Sequence, residues 1–265
     1  MPELFASQIL VRALTAALTA SIISAIVGTF LVLRRLSSMG AAIAHMCFAG
    51  AMAAYVAGVN PVIGALIPSL LLALAASYAR SRREGQSEAI LAAAIGLSSA
   101  VAALALSFSR EYSAVAFSYL VGDVLGASEE EVSLLITVSA LIMAVIVLLY
   151  RGLKYSALDP ETAEAMGLRV MLFEYLLGAL AALLLVVEIR VVGMILAQVY
   201  LVAPAAAAWE IAHSVEGMIA LSIALSLISA VAGFSASILL NLPTSAVIGC
   251  LLYTSDAADD GESVD

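Results

Sequence analysis

Eight stretches of mostly apolar residues dominate the chain, at roughly 13–33, 41–57, 61–79, 89–108, 132–150, 170–187, 191–209 and 218–240. A hydrocarbon layer about 30 Å thick is crossed by about 20 apolar residues in a helix. Only a helix or a closed barrel satisfies its backbone polar groups there without water. The composition points the same way. Hydrophobic residues make up 64% of the 265 residues and charged residues 12%, against about 45–50% and about 25% in a soluble domain. That leaves too little polar surface for an ordinary soluble enzyme or a disordered chain. The net charge of -9 excludes a nucleic-acid binder. With two cysteines, Cys47 and Cys250, there is neither a disulfide framework nor a cysteine zinc cluster. The expected fold class is all-α: a polytopic helical bundle in the lipid bilayer, with residues 1–253 as a single transmembrane domain.

Basic residues set the orientation, because they favour the cytoplasmic side. With the N-terminus outside, loops 34–40, 80–88 and 151–169 face the cytoplasm and hold eight of the 11 Lys and Arg residues; Arg12, Arg110 and Arg190 lie outside. The acidic run Glu129, Glu130 and Glu131 is then external. The first ten residues lead into a full-length span and read as no cleaved signal peptide. Segment 112–128 is too short and polar for a ninth crossing and reads as an interfacial or re-entrant helix. Its Gly122 and Gly126 have GxxxG spacing, which permits close backbone approach. Pro68 and Pro204 fall inside spans and should kink or interrupt them.

Few residues carry chemistry. No GxxxxGK[ST] loop is present, so the chain does not bind ATP in that way, and HExxH is absent too. His45 reads as the one ionisable side chain well inside a span, which makes it a candidate site by default. Imidazole suits late transition metals. Met52, seven residues on, shares its helix face, while Cys47 points about 200° away. The alternative is a structural histidine bonded to a neighbouring helix, and composition does not choose between them. In 155–168, Asp159 before Pro160 reads as an N-cap with proline at the first helical position. Gly167 reads as the stop. A polar helix of about two turns is expected there on the cytoplasmic side, with Leu158, Ala163 and Met166 able to dock on a partner. Glu188 and Arg190 read as solvated at the outer interface, Glu174 as snorkelling to the cytoplasmic side, and His213 as solvated.

Several motifs together resemble a known family. Residues 12–35, from Arg12-Ala13-Leu14 to Leu33-Arg34-Arg35, are similar to its first helix. Ser38-Met39-Gly40 followed by His45 and Gly50 is similar to its metal-path segment. Residues 158–168 are similar to its coupling helix. Val192-Gly193-Met194 through Pro204 and Asn241-Leu242-Pro243-Thr244 are similar to its later landmarks. The chain thus resembles the permease subunit of prokaryotic ABC importers for zinc, manganese or iron, over about Arg12 to Ile248.

The resemblance implies a permease with no catalysis of its own and no cofactor bound by this chain, ATP being held by a partner subunit. It implies a homodimer in the cell membrane, a cytoplasmic ATP-binding subunit gripping a helix that includes Asp159, Glu161, Ala163 and Gly167, and an external solute-binding protein. His45 would line the metal path. Two departures stand out. The family's aspartate four residues before this histidine is Ala41 here, which keeps open a metal chelate such as a siderophore or cobalamin as cargo. An ATPase-independent secondary transporter is the rival class. After Thr244 the family's last helix is cut to about nine residues before an acidic tail, 254–265, that is expected to be disordered and reads as a truncated or chimaeric end.

Overall fold

The computed structural model describes residues 2–82, 86–108, 110–240 and 242–259. Among these are eleven α-helices: α1 (Pro2–Leu33), α2 (Ser37–Val56), α3 (Pro61–Arg82), α4 (Gln86–Ser107), α5 (Arg110–Val121), α6 (Glu129–Leu158), α7 (Pro160–Ala165), α8 (Val170–Val191), α9 (Met194–Ile211), α10 (Val215–Leu240) and α11 (Thr244–Asp259). Eight of them, α1 to α4, α6 and α8 to α10, are long and apolar enough to cross a membrane. All eight expected spans are present, and the fold is the expected all-α bundle.

The ends differ where capping, not hydropathy, decides them. α6 begins at a capping box: the Glu131 N–H donates to Ser128 Oγ (3.2 Å) and the Ser128 N–H to Glu131 Oε2 (3.0 Å). It runs to Leu158, eight residues past the expected end at 150. Gly152 lies within it, at a point where a Cβ would enter the Phe173 ring. Pro68 and Pro204 do not interrupt α3 and α9. Proline removes the donor for the carbonyl four residues back. For Pro68 that carbonyl belongs to Gly64, and it faces Gly50 of α2. In the last helix, the expected nine-residue stub is a 16-residue helix. Residues 254–259, expected to be disordered, are helical, because Ala257 and Ala258 favour continuation of a helix already begun. α11 remains shorter than a span, and 260–265 lie outside the described residues.

The chain clusters into two compact units. One comprises Met1–Thr29, Ser118–Ala140 and Val187–Asp265, the other Phe30–Phe117 and Leu141–Val186. In the first, α9, α10 and α11 pack together. α1 presents the buried small residues Ala13, Ala16, Ala17, Ala20 and Ser24 along one stripe, ending at Gly28, which lies against the Leu201 carbonyl of α9. Small residues let backbones approach, which is how helices bind in a solvent as apolar as themselves. Gly122 does mark a close contact, with the Val192-Gly193 turn; Gly126 instead faces the Asp123 carboxylate, whose Oδ1 accepts its N–H (2.9 Å). In the second unit α2 packs against α3 and α4, with Gly50 and Gly64 back to back.

Candidate functional site

His45 sits in the third turn of α2, within the second unit. Its neighbours Ile43, Ala44, Cys47 and Phe48 are buried in the core, whereas His45 and Ala41, one turn earlier, are half-exposed. They form one stripe on the helix with exposed Ser38. Met52, expected to share that face, is 2% exposed and belongs to the core. Among the described residues, no three His, Cys, Asp or Glu side chains converge on a metal-sized site. One copy therefore offers a partly open imidazole with alanine, rather than a carboxylate, one turn before it on the same stripe.

The short helix is built as its local signals demand. Asp159 caps α7, its Oδ1 accepting the Thr162 N–H (3.1 Å) and its Oδ2 the Thr162 hydroxyl (2.5 Å). These bonds, the hydroxyl foremost, hold the Asp159 carboxyl below the usual carboxylate range. Gly167 ends the element at φ 85°, a left-handed conformation that favours glycine. There the Gly167 N–H donates to the Glu164 carbonyl (2.9 Å) and the Leu168 N–H to the Ala163 carbonyl (3.0 Å). Glu161, Glu164 and Met166 are exposed, as are Tyr155 and Leu158 just before. Ala163 is 2% exposed and turned inward, so it anchors α7 rather than contributing to its exposed face.

Three charged groups differ from the sequence-based expectation. Glu188, expected to be solvated, is fully buried near the end of α8. Ser24 of α1 donates to its Oε1 at 2.6 Å, and its Oε2 has no partner. A carboxyl at that depth is costly. Tyr200 of α9 is also buried with an unpartnered hydroxyl. Arg190 pairs with Glu131 at 2.6 Å. Glu174 does not snorkel: it is buried against Arg34 at 2.5 Å, with Arg80 Nε 3.4 Å away. His213 is exposed, as expected, with Nδ1 2.9 Å from the Ile211 carbonyl. His45 is thus not the sole ionisable group inside a span. The sequence offered for the others only an acid near each end of the apolar run of α8, Glu174 and Glu188, where an interfacial position is the ordinary expectation.

A family model described as the ABC 3 transport family matches residues 6–255. The chain belongs to the ABC 3 transport family. Within it, this permease is 33% identical over 244 residues to the manganese import system permease protein ScaB of Streptococcus pneumoniae, covering 92% of this chain and 86% of that protein. The manganese transport system membrane protein MntC of Halalkalibacterium halodurans is 29% identical over 246 residues, covering 93% and 84%. The solved structure of PsaBC from Streptococcus pneumoniae in complex with Fab matches with a TM-score of 0.81 at 27% identity, covering 93% of this chain and 89% of that chain. This ABC 3 family chain is the membrane-spanning permease subunit of an ABC transporter and a multi-pass inner-membrane protein. Its family implies an ATP-binding and a solute-binding partner.

Proposed function

We propose that this permease imports a divalent transition metal, manganese foremost, with residues 1–253 acting as one transmembrane domain in a homodimer. The observation that carries the cargo is the 33% identity to a manganese import permease across 92% of the chain. In this reading His45 lines the path. A half-exposed imidazole on a helix whose other face is buried is placed to meet a passing ion, and a second copy supplies further donors. α7, capped by Asp159, docks in the ATP-binding subunit through Glu161 and the neighbouring exposed side chains. Gly167 sets its exit angle, and ATP stays on the partner. The test is ATP-dependent uptake of radiolabelled manganese by proteoliposomes containing permease, ATPase and binding protein. Ala41, in the place of the family's aspartate, favours a second reading, a metal chelate. Saturating uptake of a labelled ferric siderophore or cobalamin, with none of manganese, would decide for it.

Two outcomes follow at α7. Gly167→Pro forces a φ near -65° on a residue that needs +85°. It is expected to uncouple ATP hydrolysis from the binding protein, and hydrolysis still stimulated by loaded binding protein in this variant would remove α7 from the coupling role. The Asp159 cap has a second, pH-dependent consequence. Its folded pKa is depressed, so its contribution is complete above the ordinary carboxylate value of about 4. It is lost only as the pH falls through the lower folded value. ATPase co-elution is therefore expected to be flat from about pH 5.5 to 8 with respect to this group. Asp159→Asn, which keeps a capping side chain, should co-elute equally. A drop within that range that Asp159→Asn abolishes would contradict this.

A further inference from the structure

The last turn of α6 has a carbonyl without its helical donor. Ser156 C=O should accept from the N–H four residues on, but that residue is Pro160, which has none. Arg34, in the turn after α1, fills the place: its Nη1 donates to the Ser156 carbonyl at 2.7 Å. The other end of the same guanidinium, Nη2, donates to Glu174 Oε2 of α8 at 2.5 Å. Arg80 of α3 completes the cluster. Its Nε lies 3.4 Å from Glu174 Oε1, and its Nη1 donates to the Arg35 carbonyl at 3.4 Å. Arg35 itself holds φ 55°, a strained value for a side chain of its size. Arg34 and Glu174 are each 8% exposed.

We propose that Arg34, Glu174 and Arg80 form a coupling strap that ties the α6–α7 junction to α1, α3 and α8. The proposal rests on the reading of α7 as the ATPase-docking helix. Ser156 is three residues from the Asp159 cap, so a displacement of α7 pulls first on its carbonyl. Arg34 cannot let go of that carbonyl without leaving a buried donor unpaired, nor of Glu174 without leaving its own buried charge uncompensated. The carbonyl, the guanidinium and the carboxylate therefore move together, and α1 and α8 move with them. Two bonds at fixed angles from one side chain are a property of the planar guanidinium fork, which an ammonium lacks. These are positioning residues, acting on transport through the helices they join.

Arg34→Lys tests this, because it keeps the positive charge beside Glu174 and gives up the fork. Permease, ATPase and binding protein are reconstituted together, and manganese uptake and ATP hydrolysis are measured on the same vesicles. Manganese moved per ATP hydrolysed is expected to fall about tenfold, a coupling change of ordinary allosteric size, while hydrolysis persists. Arg80→Gln, at a partly exposed position, should lower the same ratio less and serves if Arg34→Lys does not assemble. An unchanged ratio in both variants, or uptake and hydrolysis falling in proportion, overturns the strap in favour of a merely structural cluster. Wild-type vesicles run in parallel separate the two readings. If they take up no manganese, the cargo assignment falls; wild-type uptake with an unaltered variant ratio overturns the strap alone.

Discussion

Gly28→Leu is expected to prevent the permease from accumulating as a folded protein. The position ends the small-residue stripe of α1, and a Cβ there would overlap the Leu201 carbonyl of α9. The obstacle is backbone inside a helix, so no rotamer change relieves it, and the helices must separate. Overpacking a core with added methylenes costs about 1–3 kcal/mol even where side chains can shift; here the loss includes the close α1–α9 contact itself. Gly50→Leu should behave alike, since Gly50 meets the Gly64 carbonyl of α3. Gly96→Leu is the control, because a Cβ at Gly96 of α4 has nothing within 4 Å. Membrane yield and monodispersity in detergent are the readouts. Equal behaviour of Gly28→Leu and Gly96→Leu would mean that α1 and α9 do not pack in this way.

The spans were legible because the bilayer imposes a length on them, and hydropathy reports that length directly. α7 was legible for a different reason. Its start and stop are local chemistry, Asp159 with Pro160 at one end and Gly167 at the other, and need no tertiary information. The far end of α6 was not legible, since Arg151–Leu158 is polar enough to resemble a loop and helical only because nothing stops it before Pro160. Ala163 was read as part of a docking face, but which way a six-residue helix turns is decided by what it packs on. The prolines misled in the other direction: Pro68 and Pro204 are breakers in water, yet α3 and α9 continue through them, as helices packed in a bundle tolerate.

Buried charges were hidden for a related reason. Glu188 stands three residues from the end of α8, where hydropathy suggests an interface. Its burial depends on Ser24, 164 residues away in sequence. Glu174 stands one turn from the other end of the same helix, where snorkelling is the ordinary expectation, and its partners come from two other elements. Long-range pairing of this kind leaves no trace in a local window. The Ser156–Pro160 relation could have been found, because an unpaired carbonyl four residues before a proline is readable from order alone, although its partner Arg34 is not.

His45→Ala is expected to lower manganese uptake by about 10–100-fold, the loss that follows when a group shaping a metal site is removed. Folding should be little affected: the imidazole is half-exposed, and its removal leaves no cavity in the core formed by Ile43, Cys47 and Phe48. That separation of effects decides between the two meanings of a histidine in a span. A structural histidine would show its loss in melting temperature and yield, with uptake falling only in proportion to folded protein. A path residue shows it in uptake alone, and Met52→Ala, a core truncation costing about 2–5 kcal/mol, should show the reverse pattern. Ala41→Asp extends the test. A carboxylate placed one helical turn before His45, on the same half-exposed stripe, adds the hard oxygen donor that suits manganese. If the path runs along this stripe, the substitution should raise manganese uptake at low metal concentration. If Ala41→Asp and His45→Ala both leave uptake per folded permease unchanged, the ion passes elsewhere in the molecule.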